Sequence, residues 1–187
     1  TLQMSSLPQL LTGSSGEDET GTTIVSGTLD VSNTQLGQRG GTVYALGNKV
    51  GLVDNARVNA SGDAGGGTVL IGGDYLGGGS VPNADFTFVG EGVNINADGI
   101  SNGDGGKVIL WADQATRAYG TITARGGAFG GNGGFIETSG KEFLDVTRPA
   151  DASAPNGLAG TWLLDPRNVR IVAGNTTTGG AFSGGRP

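Results

Sequence analysis

The chain has 187 residues, 39 of them Gly and only 6 Pro, with 35% hydrophobic residues, a formal net charge of −6 and neither Cys nor His. Eleven Lys and Arg in all argue against nucleic-acid or anionic-membrane contact, which needs clustered cations; no run of about 18 apolar residues offers a bilayer span, and the missing Cys and His remove disulfides and the usual zinc and transition-metal ligands. The apolar residues are mainly Val, Ile, Leu and Ala, too rich in β-branched types for a flexible Gly/Ser linker, so short strands joined by glycine corners are expected.

Residues 1–22 read as a leader, linker or capping segment, with Leu7, Leu10 and Leu11 as its apolar anchors. No signal-peptide pattern opens the chain at Thr1-Leu2-Gln3, and a piece of a longer exported protein is expected. A short strand at Leu29-Asp30-Val31-Ser32 then starts a pattern that recurs as Val58-Asn59-Ala60-Ser61, Ile95-Asn96-Ala97-Asp98 and Ile122-Thr123-Ala124-Arg125, with Ala152-Ser153-Ala154-Pro155 as a degraded copy. After each comes a second strand behind a small residue and Gly: Thr42-Val43-Tyr44-Ala45-Leu46, Thr68-Val69-Leu70-Ile71, Lys107-Val108-Ile109-Leu110-Trp111, Phe135-Ile136-Glu137-Thr138-Ser139 and Thr161-Trp162-Leu163-Leu164. The anchors Thr42, Thr68, Lys107, Phe135 and Thr161 are spaced by 26, 39, 28 and 26 residues. A third strand fits at Val50-Gly51-Leu52-Val53 and Phe143-Leu144-Asp145-Val146.

Three short strands and three corners per unit describe one turn of a right-handed parallel β-helix, a β-solenoid of about five to six coils over 23–172. A flexible Gly/Thr-rich tail or linker is expected over 173–187. Alternation along each strand places Val43, Val69, Val108, Ile136 and Trp162 in one interior column and Ala45, Ile71, Leu110, Thr138 and Leu164 in a second. Leu29, Val58, Ile95 and Ile122 make a third, and Val31, Ala60, Ala97 and Ala124 a fourth. The Asp-Gly and Asn-Gly pairs at 98–99, 102–103, 104–105, 132–133 and 156–157 are expected to supply tight turns through the positive φ that Gly tolerates.

Taken together and in this order, the Gly41–Gly47, Val69–Tyr75, Val108–Asp113, Gly133–Gly140 and Gly160–Pro166 segments resemble the shaft repeats of filamentous-haemagglutinin-like large exoproteins. The resemblance covers 23–172. It implies a right-handed β-helix, two-partner secretion to the surface or exterior of a Gram-negative-type bacterium, and a role in adhesion or surface assembly, without catalytic residues. The family's N-terminal secretion module is not recognised in this sequence.

On that basis the chain is expected to be a non-enzymatic shaft segment of a secreted surface adhesin. The alternative is a subunit of an extracellular filament or matrix built by end-to-end stacking of solenoids, and a third reading is a polysaccharide-active β-helix. For the third, Asp113, Arg117, Glu137, Lys141 and Asp145 are the nearest acid–base cluster, although a solvated polar face explains them equally well. Gly72-Gly73-Asp74 and Asn102-Gly103-Asp104-Gly105-Gly106 lack the tandem frame of a calcium nonapeptide and read as turns. No cofactor is expected. Expected partners are adjacent solenoid units and a host-cell or surface glycan or protein. The outward column Tyr44, Leu70, Ile109 and Leu163, interrupted by Glu137, forms an apolar contact stripe, to be covered either by this chain (the leader, or an insert over about 73–88) or by a lateral partner.

Overall fold

The computed structural model describes residues 2–3, 9–12 and 21–166. In chain order the strands are β1 (Leu2–Gln3), β2 (Gln9–Thr12), β3 (Thr22–Val25), β4 (Thr28–Asp30), β5 (Thr42–Leu46), β6 (Lys49–Leu52), β7 (Arg57–Asn59), β8 (Thr68–Ile71), β9 (Phe86–Val89), β10 (Asn94–Asn96), β11 (Lys107–Ala112), β12 (Ala115–Ala118), β13 (Thr121–Thr123), β14 (Phe135–Gly140), β15 (Phe143–Val146) and β16 (Thr161–Leu163). They assort into three parallel sheets: β1-β4-β7-β10-β13 (sheet A), β2-β5-β8-β11-β14-β16 (sheet B) and β3-β6-β9-β12-β15 (sheet C). The chain visits A, B and C in turn, so each winding contributes one strand to each sheet. The fold is an all-β parallel solenoid of about five turns with three strands per turn.

The register follows the repeat. Val43 lies beside Val69, Val69 beside Val108, Val108 beside Ile136, and Ile136 beside Trp162. Leu29, Val58, Ile95 and Ile122 align in the same way in sheet A. All four interior columns are buried in one continuous core except at the last winding. There Trp162 is partly buried, and Leu164, expected inside, lies past the end of β16 and is 43% exposed. The degraded copy is reduced to one bridge between Asp151 and Thr123, with Ala150 and Ala152 packed on the core. In the expected leader, β1 and β2 add to the ladders of sheets A and B, with Leu10 paired to Tyr44 in register. Residues 167–172 and the expected tail lie outside the described residues.

Two side-chain devices set the corners. In four windings an Asx side chain at the sheet A end of the A-to-B corner accepts the N–H two residues on: Asp30 from Ser32, Asn59 from Ser61, Asn96 from Asp98 and Asp151 from Ser153. These local bonds turn the backbone out of the strand. The fourth copy carries Thr123 instead, and there Asp98 of the preceding winding takes both the Arg125 N–H (2.7 Å) and its guanidinium (2.7 and 2.9 Å). Between sheets B and C, the buried hydroxyls of Thr23, Thr87 and Thr116 donate to the Leu46, Trp111 and Ser139 carbonyls of the next winding at 2.6–2.7 Å.

The glycine pairs ahead of sheet B act through close approach. Gly41, Gly67, Gly106, Gly134 and Gly160 each donate their N–H at 2.7–2.8 Å to the carbonyl of Val31, Ala60, Ala97, Ala124 or Ala152, closing the A-to-B corner. A methyl on Gly40, Gly66, Gly105 or Gly133 would strike the Ala60, Ala97, Ala124 or Ala152 carbonyl oxygen. One on Gly67, Gly106, Gly134 or Gly160 would strike the backbone of the winding before. This corrects the expectation of positive φ at the Asp-Gly and Asn-Gly pairs: Gly99, Gly103, Gly105, Gly133 and Gly157 are not among the positive-φ glycines. At Gly103, Gly105, Gly133 and Gly157 windings one strand spacing apart leave no room for Cβ, and at Gly99 the Gly103 carbonyl of the same corner fills that room.

Gly106→Ala should therefore cost about 3 kcal/mol of unfolding free energy. Gly27→Ala, with open space around it, should stay within about 0.5 kcal/mol of the parent. Thr116→Val, which strips a donor from the buried corner, should cost about 1–2 kcal/mol. Urea unfolding followed by far-UV circular dichroism reads all three.

Candidate contact surfaces

Sheet B carries the expected stripe on its outer face, with Tyr44, Leu70, Ile109, Glu137 and Leu163 side by side in register. The stripe is not open along its length. Leu70, Ile109 and Trp111 form a second buried cluster, against which Tyr44, Val81 and Phe135 pack. Val81 comes from the 14-residue connection 72–85 between β8 and β9, which β5–β6, β11–β12 and β14–β15 close with two residues and which explains the 39-residue spacing. The insert supplies this cover over Leu70, Ile109 and Trp111. It also ends earlier than expected: Phe86 and Phe88 belong to β9 and face outward from sheet C, away from the stripe.

The insert is fastened as a strap. Asp74 caps a single 3₁₀ turn, Tyr75–Gly77, accepting the Tyr75 N–H, and takes Lys107 Nζ at 2.7 Å. Burial alone would raise the Asp74 pKa, but the hydrogen bonds from Lys107 and Tyr75 outweigh it and hold the carboxyl below its usual range. Tyr75 meets Phe135 edge to face at 5.6 Å between ring centroids. A methyl at Gly77 would collide with the Trp111 indole, so the strap backbone rests directly on that ring. The far side is tied by Asn83, which donates to the Gly77 carbonyl at 2.9 Å and to Asp113 at 3.3 Å, while Trp111 Nε1 donates to the same Asp113 oxygen at 3.1 Å. Leu76, at the apex with φ 53°, turns its N–H down onto Glu137.

Glu137 is the polar interruption in the stripe, and it is 0% exposed. Its two carboxyl oxygens accept the Leu76 N–H at 3.3 and 3.2 Å. Burial pushes its pKa up; hydrogen bonds from Ser139 and Leu76 and the charge of Lys107 pull the other way, and Asp165 adds to the rise.

The five residues singled out for acid–base chemistry are divided among three places. Glu137 lies under the strap on sheet B, Asp113 and Lys141 sit just beyond β11 and β14 where sheet B gives way to sheet C, and Arg117 and Asp145 are neighbours in register on the outer face of sheet C. Asp145 accepts the Tyr119 hydroxyl at 2.8 Å and Arg117 stands over the Phe143 ring. The two Asp-Gly segments are engaged structurally, through Asp74 as above and through Asp104, which accepts the Asn132 N–H at 2.7 Å. Sequence reasoning did not find the strands β3, β9 and β12, whose outward Ile24, Phe86 and Phe88 give sheet C an exposed apolar face. The phase of Phe86 and Phe88, two residues apart before Val89, was the available signal.

No protein-family model and no curated protein matches this sequence. Among solved structures the chain is similar to the crystal structure of the HMW1 secretion domain from Haemophilus influenzae, with a TM-score of 0.61 and 29% identity over 86% of this chain. It spans 42% of that chain's length.

The buried Glu137 makes a sign-definite prediction. With its folded pKa raised above the ordinary 4.5, the native state holds more protons than the unfolded one between those two values. Its share of stability is thus intact below the unfolded pKa and is lost as pH rises through the folded pKa. Glu137→Gln should match the parent at pH 4 and melt at a higher temperature than the parent at pH 8. Equal differences at both pH values would contradict this account of the carboxyl.

Proposed function

We propose that this chain is a non-catalytic solenoid segment of a secreted bacterial surface protein of adhesin type, exported by two-partner secretion. The observation that carries the reading is the likeness to the HMW1 secretion domain, reached by a chain whose repeats also resemble exoprotein shafts. The physical basis is the strand ladder itself. Each winding adds about 4.8 Å of length and contacts only its neighbours, so stacked windings make a stiff spacer.

Because the similar structure is a secretion domain, the proposal includes a part in export, which the sequence reading assigns to a module outside these repeats. A second reading, end-to-end stacking of copies into a filament, is favoured by the last described winding, where Val146 and Trp162 are only partly buried.

Deleting 21–166 from the native exported protein and, separately, replacing it with as many windings of an unrelated solenoid separates these roles. A pure spacer gives normal release and surface display in the replacement strain. A part in export gives loss of release in both strains, with the protein retained in the periplasm. Normal release and normal cell attachment in both strains would overturn the proposal. Electron microscopy of the purified chain decides the second reading, which requires uniform polymers.

A further inference from the structure

The strap covers the middle of the sheet B stripe, and Phe86, Phe88 and Phe143 stand exposed on the outer face of sheet C. Register places Thr22, Lys49, Phe86, Ala115 and Phe143 in one row across five strands, and Ile24, Gly51, Phe88, Arg117 and Asp145 in the next. Phe86 is 42% and Phe143 48% exposed. They stand two strands apart, about 9.6 Å, with the small Ala115 between them, so the row has a shallow slot walled by two rings. The polar groups beside it are held ready. Arg117 lies 5.8 Å from the Phe143 centroid and makes no hydrogen bond among the described residues. Asp145 is oriented by Tyr119, whose ring in turn packs edge to face on Phe88 at 5.9 Å.

We propose that this face of sheet C is a binding site for a pyranose oligosaccharide, with sugar rings stacked on Phe86 and Phe143 across Ala115 and their hydroxyls bonded by Arg117 and Asp145. The size of the face argues for this occupant over a second copy of the chain. Five strands by four residues measure about 19 by 13 Å, roughly 250 Å², whereas a stable protein interface needs about 800 Å² per partner. The exposed Phe86 ring and the Phe143 ring with Arg117 over it, beside the Asp145 carboxylate, match a sugar's apolar ring face and its equatorial hydroxyls. A purely apolar partner would desolvate the Arg117 guanidinium without giving it a hydrogen-bond acceptor.

This inference deepens the adhesin reading by naming a partner class, and it rests on that reading for its biological setting. Its test does not, because it uses the purified chain. Cellohexaose, chitohexaose and a polygalacturonate hexamer are titrated into the protein by isothermal calorimetry. At least one should bind saturably at up to millimolar concentration, and Phe86→Ala and Phe143→Ala should each weaken it about tenfold. Arg117→Ala should weaken it as well, and thermal melting should be unchanged because these side chains are exposed. Absence of saturable binding to all three sugars overturns the site, as does binding indifferent to Phe86→Ala and Phe143→Ala, while the export reading is left standing. Concentration-dependent dimerisation abolished by the same substitutions also overturns it and assigns the face to a second copy.

Discussion

Everything in this molecule depends on how closely one winding approaches the next at the corner between sheets A and B. There the second glycine of each pair hydrogen-bonds back to the last sheet A residues of its own winding, while the first presses against the backbone of the winding after and the second, from Gly67 onward, against that of the winding before. A side chain at that point would hold the windings apart and break the ladder hydrogen bonds on both sides. The glycine content of the chain is thus a packing requirement more than a demand for unusual dihedrals. The same closeness aligns the interior columns, so Val stacks on Val and Ala on Ala with little void.

Strict register has a second effect, on the outside. Outward residues also fall into columns, and any two residues at equivalent positions become neighbours however far apart they are in sequence. Glu137 is set between Ile109 and Leu163 in this way, and Phe86 is aligned with Phe143 across Ala115. A single insertion between strands can then cover the middle of a face. The strap does this to sheet B, and it leaves a carboxyl in the covered zone whose charge is unfavourable. The apolar strip that stays accessible is on sheet C, where no comparable insertion lies over it among the described residues. A solenoid thereby assigns different tasks to faces that are built from the same repeat.

The proposed reading sets the chain in a protein that crosses the cell envelope. Local pairing suits such a route. Every strand finds its partner about one winding away, so a ladder of this kind can grow winding by winding without waiting for distant segments. Acidic net charge and the absence of Cys are compatible with that route.

The sequence alone determined the solenoid, its three strands per turn and the four interior columns, because a repeat of 26–28 residues with two-residue alternation leaves few other ways to bury Val, Ile and Leu. It also marked the insert, as a break in the spacing, and the outward apolar stripe. Only the tertiary structure showed that the insert rests on that stripe, since composition marks a segment as apolar but not where the ladder delivers it. It alone showed that Glu137 is buried, that Phe86 and Phe88 serve sheet C, and that the repeated glycines answer to backbone proximity. Each of these facts concerns the contact between windings, and contacts of that kind are not encoded by any single segment of the chain.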